Sequence, residues 1–301
     1  MTDYTSYLLE EEFVIFLFHG VITKNRYAVR NYTKKHLELE EFKNVISGLQ
    51  AKGNPVHMDE IVSAHQEKSS LPPLSYAITF DDGFANNFHI AAPVLKRYET
   101  PSVFYVTSGF IKNNDASWTD QIEYAVERTE NIQFQHEYLK TISPVKSVVE
   151  KISFLEQVRD VVKSNASIDP YQFARDIWNQ NGIEDFDPDF ELDQKMTREE
   201  LTQLATDPLF TVGGHSHTHR VMSFLSPEDL QVEVYSSIQY LKDWTGQKID
   251  HYSYPEGLTH CYSEEVITCL KEHGVTCSPT AIWGANDKKT DLFNLKRITV
   301  V

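Results

Sequence analysis

A chain of 301 residues with 41% hydrophobic content has enough apolar material for one large α/β domain or two ordinary ones. A net charge of −16 with no basic run argues against polyanionic partners such as nucleic acid or an anionic membrane surface. No apolar run approaches the roughly eighteen residues that span a bilayer, and Met1-Thr2-Asp3-Tyr4 lacks the signature of a secretory signal, so a cytoplasmic address is expected.

The first predicted strand covers 13–18 and ends at His19-Gly20. Leu39, Phe42, Val45, Ile46 and Leu49 follow at helical spacing, closed by Gly53, then a short strand over 55–58 and a helix from near Asp59. The apolar run 76–80 stops at two adjacent carboxylates and a glycine, Asp81-Asp82-Gly83, and leads into a helix over 88–98. A strand over 102–106 comes next. From 112 to 196 the rhythm breaks into a mostly helical segment, read as an insertion. Regular alternation resumes with a capping box at Thr197-Arg198-Glu199-Glu200 and a strand over 210–212 that ends at Gly213-Gly214-His215. A long helix follows Ser226-Pro227, a strand over 251–254 ends at Pro255-Glu256-Gly257, a helix covers 263–273, and the last strands lie at 275–277 and 297–301.

Strands alternating with helices predict a parallel sheet, and their number suits a closed or nearly closed barrel. Catalytic groups in such barrels gather where the strands end. His19, Asp81-Asp82, His215 and the Pro255-Glu256-Gly257 turn each directly follow a predicted strand, so four polar features share one address.

Adjacent carboxylates raise each other's cost of ionisation unless a metal ion or a base divides their duties. His215 and His219 are four residues apart and can meet one cation on one face of a turn, with Asp82 as third ligand. Two imidazoles and one carboxylate leave a coordination position open for water, the form of a hydrolytic zinc site, although the same set also forms the facial triad of iron oxygenases. His217 falls between the two and is expected to point away. Cys261, Cys269 and Cys277 read as reduced thiols. A zinc set made with His251, His260 and His273 is the sharper alternative, but the spacings fit no ligand motif. Trp118, Tyr124, Phe134 and Trp178 in the insertion are candidate stacking platforms for a ligand, with a core role favoured by their helical spacing.

Thr79-Phe80-Asp81-Asp82-Gly83 resembles the first motif of the polysaccharide deacetylases, the NodB homology domain of carbohydrate esterase family 4, and His215, Ser216 and His219 match the second, H-[S/T]-x-x-H. The resemblance implies an α/β fold, a distorted (β/α) barrel of about seven strands, with a single catalytic domain over 1–301 that contains the 112–196 insertion. It implies a divalent metal, Zn2+ by default with Co2+, Ni2+ or Fe2+ as options, and hydrolysis of an acetyl group on an amino sugar. Asp81 is then the general base, and Asp82, His215 and His219 hold the metal whose water attacks the carbonyl. A backbone N–H in the turn of Tyr254, Pro255, Glu256 and Gly257 helps to hold the oxyanion. The substrate is an acetamido sugar, free, nucleotide-linked, lipid-linked or oligomeric. A cytoplasmic address favours the soluble, nucleotide-linked or lipid-linked forms.

Two departures stand out. Ser253 occupies the place of the family's arginine that orients the catalytic aspartate, so that role passes to another cation or is lost. The family's C-terminal L-x-H histidine, the general acid, is absent, but Leu17-Phe18-His19 has the same form at the first strand, and His19 is the expected acid. The competing expectations are hydrolysis of a linear or cyclic non-sugar amide, and a catalytically weakened carbohydrate-binding homologue.

Overall fold

The computed structural model describes residues 2–139 and 144–301. Its elements in chain order are β1 (Val14–Phe18), β2 (Gly20–Ile22), β3 (His36–Glu38), α1 (Leu39–Lys52), β4 (Asn54–Pro55), α2 (Met58–Glu67), β5 (Ser75–Phe80), α3 (Ala92–Arg97), β6 (Ser102–Val106) and α4 (Ser108–Asn113). There follow α5 (Trp118–Arg128), α6 (Val148–Ser164) and α7 (Pro170–Gln180), then α8 (Arg198–Leu204), β7 (Phe210–Gly214), α9 (Pro227–Thr245), α10 (Glu264–Glu272) and β8 (Ile298–Thr299). The chain forms two compact units, one of residues 1–24, 35–115 and 190–301, the other of residues 25–34 and 116–189.

In the first unit the parallel order β7-β6-β5-β1-β8 is continued by parallel bridges Gly214↔Tyr252, His251↔Cys277 and Pro279↔Leu295. Because residue 295 leads directly into β8, which pairs with β1, the pairings run full circle. The expected strands over 251–254 and 275–277 shrink to isolated bridges. Pro255 and Pro279 have no N–H to give a ladder, which limits pairing there.

Burial on both faces explains the continuous apolar runs. Phe16 and Phe18 of β1, Ile78 and Phe80 of β5 and Phe104 of β6 face an outer layer that includes Phe42, Ile46 and Leu49 of α1. Phe80 stacks between Phe18 and Phe104, with ring centroids 5.3 and 5.0 Å away. Each such side chain contributes roughly 1.5–3 kcal/mol on burial. The alternate residues Ile15, Ala77, Val103 and Tyr105 join Tyr252, Tyr254, Cys277 and Leu295 in a second apolar cluster.

In the second unit, Ser147 and Glu150 form a capping box that starts α6, and Trp118, Tyr124 and Phe134 are buried. Tyr124 stacks on Trp178, whose Nε1 donates to Gln121 O at 3.0 Å. The four aromatics are therefore occupied in holding this unit together, as helical spacing suggested. Residues 25–34 join it through the Glu127 carboxylate, which accepts from Val29 N at 2.7 Å and Arg30 N at 3.0 Å. Among the described residues no helix is long and apolar enough to cross a membrane.

Gly213 and Gly214 close β7 because neighbouring rings lie directly over them. A Cβ on Gly213 would sit 2.5 Å from the Tyr105 ring, and one on Gly214 would sit 2.3 Å from the Tyr252 ring. Gly214→Ala is accordingly expected to lose about 1–3 kcal/mol in denaturant unfolding. Gly48→Ala on α1, where the new methyl meets only Thr5 at 3.3 Å, should stay within about 1 kcal/mol of the parent. Equal stability of the two variants would contradict this packing.

Candidate active site

The ladder between β1 and β5 is extended by one bond beyond Phe80, from Asp81 N to Phe18 O at 3.0 Å, which brings Asp81 level with His19. In a regular strand Asp81 and Asp82 would then point to opposite faces. Asp82 instead adopts φ +75°, followed by Gly83 at +82°, and the chain turns so that both carboxylates face His215. Asp81 Oδ2 lies 4.0 Å and Asp82 Oδ1 3.5 Å from His215 Nε2. A left-handed non-glycine residue carries of the order of 1–3 kcal/mol of strain, and such strain clusters at functional sites.

The histidines come from the segment after β7. His215 N donates to Val106 O at 3.0 Å, and His215 Nδ1 is engaged by Ser253 O and Ser253 Oγ at 3.0 and 2.6 Å, so Nε2 is the atom turned to the carboxylates. The loop that follows is a tight turn, with Ser216 at φ +62° and His219 at +58°, closed by His219 N donating to Ser216 Oγ at 2.8 Å. Buried Glu233 of α9 accepts from His217 N and Thr218 N at 2.8 and 2.5 Å and anchors it. His219 Nε2 thereby reaches Asp82 Oδ1 at 3.2 Å. His217 points away as expected: its Nδ1 meets Ser108 Oγ at 2.8 Å and its ring stacks on Tyr240.

Asp82, His215 and His219 are all buried, and their ligand atoms lie within 4.8 Å of one another. Asp82 Oδ1 and His219 Nδ1 have no hydrogen-bond partner among the described residues. A buried carboxylate oxygen aimed between two imidazole nitrogens without a donor is a costly arrangement by itself. The same arrangement suits a divalent cation, so the donor set fits a metal. The cysteine alternative does not assemble. The three thiols are free and buried, and the second group that could hold a metal joins His251 to Asp59 and Asp250, with no cysteine in it.

The cation missing at Ser253 is supplied by Arg297, just before β8. Its Nη1 donates to Asp81 Oδ1 at 2.8 Å and its Nη2 to Asp81 Oδ2 at 2.7 Å, a bidentate pair with the guanidinium fully buried. Ser253 keeps a weaker hold on the same carboxylate, Oγ to Oδ1 at 3.3 Å. Sequence reasoning passed over Arg297, although one signal was present. In Leu295-Lys296-Arg297-Ile298-Thr299-Val300, Leu295 belongs to the inner cluster and Ile298 and Val300 to the outer one, so alternation points Arg297 inward. Lys35 was also passed over. Its Nζ is 2.8 Å from Asp82 Oδ2.

These partners set the charges. Burial opposes ionisation of Asp81, but Arg297, and then His215, hold its carboxyl below the usual range. Burial likewise opposes ionisation of Asp82, but Lys35 and then His219 hold it well below that range. Burial would lower the His219 imidazole, yet Asp82, with help from Glu256, raises it. For His19 burial prevails over the attraction of Asp82 and Asp81 and pushes the imidazole down to about 4.

The turn expected to help hold an oxyanion offers its backbone donors unequally. Pro255 has no N–H, and Gly257 N is spent on Pro255 O at 2.7 Å. The Tyr254 ring is buried, stacked on Tyr262, with its hydroxyl donating to Phe293 O at 3.0 Å. Among the described residues Tyr254 N has no backbone acceptor, which makes it a candidate donor from this turn. Glu256 sits at φ +61° and contributes its charge near His219.

Comparison with known proteins points to one family. The polysaccharide deacetylase family model matches residues 68–175 and 177–278. Among solved structures the chain is similar to the Streptococcus pyogenes deacetylase PplD in complex with acetate, at 13% identity and a TM-score of 0.64, covering 97% of this chain and 93% of that one. It is similar to IcaB from Ammonifex degensii at 15% identity and 0.61, covering 98% and 94%. It is similar to a de-N-acetylase from Aggregatibacter actinomycetemcomitans at 14% identity and 0.58, covering 96% and 94%. No significant match is found among curated proteins. With its family model matched over most of its length and its α/β fold shared with deacetylases, this chain belongs to the polysaccharide deacetylase family.

Proposed function

We propose that this protein is a divalent-metal-dependent hydrolase that removes the N-acetyl group from an amino sugar in polysaccharide or surface-glycan metabolism. The observation that carries the reading is the pairing of an ionised, arginine-clamped Asp81 with the Asp82, His215 and His219 cluster, whose Asp82 Oδ1 has no hydrogen-bond partner among the described residues. The acetate and the de-N-acetylase named for two similar structures support the choice of an acetyl group.

Asp82, His215 and His219 would hold a divalent ion, zinc by default for this donor set, which would supply Lewis acidity to the scissile carbonyl and to water. Asp81 takes the proton of the attacking water, and the Arg297 clamp keeps it ionised and aimed for that task. Tyr254 N donates to the developing oxyanion. His19, level with Asp81 across the ladder, protonates the leaving nitrogen. Because burial keeps its imidazole neutral near pH 7, it gains that proton within the turnover, by way of Asp81. Arg297 also supports catalysis over a weakened, binding-only homologue, since it fills the role left open at Ser253.

Acetate release from a panel of free, nucleotide-linked and oligomeric acetamido sugars is expected, abolished by chelator and restored by zinc. Asp82→Ala and His219→Ala should each empty the site, and normal metal content in either would refute the ligand set. His19→Ala should keep its metal and lose about 10²–10⁴-fold in turnover, the usual span for general acid catalysis. Full activity in that variant would remove His19 from the mechanism. Arg297→Met leaves a buried carboxylate without its partner and should lose about 3–5 kcal/mol of stability together with most activity. Wild-type denaturation of Arg297→Met would sink the clamp.

A further inference from the structure

The Asp82 carboxylate is divided between two kinds of partner. Oδ1 lies between His215 Nε2 and His219 Nε2, at 3.5 and 3.2 Å, while Oδ2 is held by Lys35 Nζ at 2.8 Å. Lys35 owes its place to the small parallel sheet of β2 and β3, whose register pairs Gly20 with His36 and so puts the preceding residues, His19 and Lys35, side by side. That register is tightly built. A Cβ on Gly20 would fall 2.1 Å from His36 Nδ1, which itself meets Asn86 Nδ2 at 2.9 Å, and the His36 ring packs edge-on to Phe84 at 4.5 Å. The Lys35 ammonium also lies over the Phe84 ring, 4.6 Å from its centroid, and only 17% of the side chain is exposed. An ammonium held on two sides in this way is a fixed part of the site.

We propose that Lys35 is a positioning residue for the metal centre, which limits Asp82 to one-oxygen ligation through Oδ1 and, as a fixed positive charge on the other oxygen, lowers the affinity of the site for its cation. The inference rests on the metal-dependent reading above. Two cations on the two oxygens of one carboxylate repel each other, and the repulsion is strong where water is largely excluded. A carboxylate that already accepts a hydrogen bond from an ammonium has less charge to share with a cation on its other oxygen, and is a poorer ligand for it.

The metal-free 301-residue protein is to be titrated with Zn2+ against a chromophoric competing chelator, as wild type, Lys35→Met and Lys35→Arg, with circular dichroism on each. Lys35→Met keeps an apolar stem near Phe84 and removes the charge, and it should bind Zn2+ at least tenfold more tightly. Lys35→Arg restores a cation on Oδ2 and should return to wild-type affinity, a rescue that a merely structural lysine would not produce. If Lys35→Met does not fold, Lys35→Gln, which keeps a donor without charge, is read in its place with the same expected tightening. Unchanged or weaker binding in the uncharged variant overturns the proposal, as does tight binding in Lys35→Arg. Wild type that binds no Zn2+ overturns the metal reading and this inference together, whereas wild type that binds while all variants match it overturns this inference alone.

Discussion

Two adjacent carboxylates at the buried end of β5 are the constraint to which the rest of the site answers. Taking one ionised carboxylate out of water is expensive, and placing a second beside it adds repulsion. The fold meets this by giving each its own cation, Arg297 for Asp81 and Lys35 for Asp82. Two imidazoles then face the one oxygen of Asp82 that has no hydrogen-bond partner among the described residues. The like-charge conflict is thereby turned into a division of labour. One aspartate is locked in the ionised form, and the other presents a single oxygen to the imidazoles.

The division depends on closure of the ring of strands. Arg297 is 216 residues from Asp81 along the chain, and the two meet because β8 pairs with β1 and β1 pairs with β5. His19 reaches the same place from the start of the chain for the same reason. Left-handed backbone at Asp82, Ser216 and His219 does the local work, since regular strand or helix geometry would send the neighbouring functional side chains in divergent directions. This strain is held by a buried frame, with Glu233 anchoring the histidine loop and the Tyr105 and Tyr252 rings lying over Gly213 and Gly214.

Much of this was legible because it is local. The apolar run ending in Asp81-Asp82-Gly83 and the His215 and His219 spacing bring their own backbone context, so strand, turn and candidate ligand set can be read together. The helical stretch of the second unit shows in the sequence as a change of period, and its aromatics as helical core, because periodicity reports burial directly. Less legible were the short pairings at 251–252 and 277, where prolines interrupt the ladder and hydrophobicity overstates strand length. The Tyr254 to Gly257 turn was assigned as a unit, although its N–H groups differ in availability, a matter of hydrogen bonding that residue type alone does not carry.

By itself the sequence determined the parallel α/β pattern, the polar addresses at the strand ends, and the family to which the motif belongs, since these follow from local periodicity and contiguous residues. Only the tertiary structure decided which cations serve the carboxylates. An arginine just before a short last strand and a lysine in a polar loop look unexceptional along the chain, and electrostatic pairing acts through space over a few ångströms, regardless of separation in sequence.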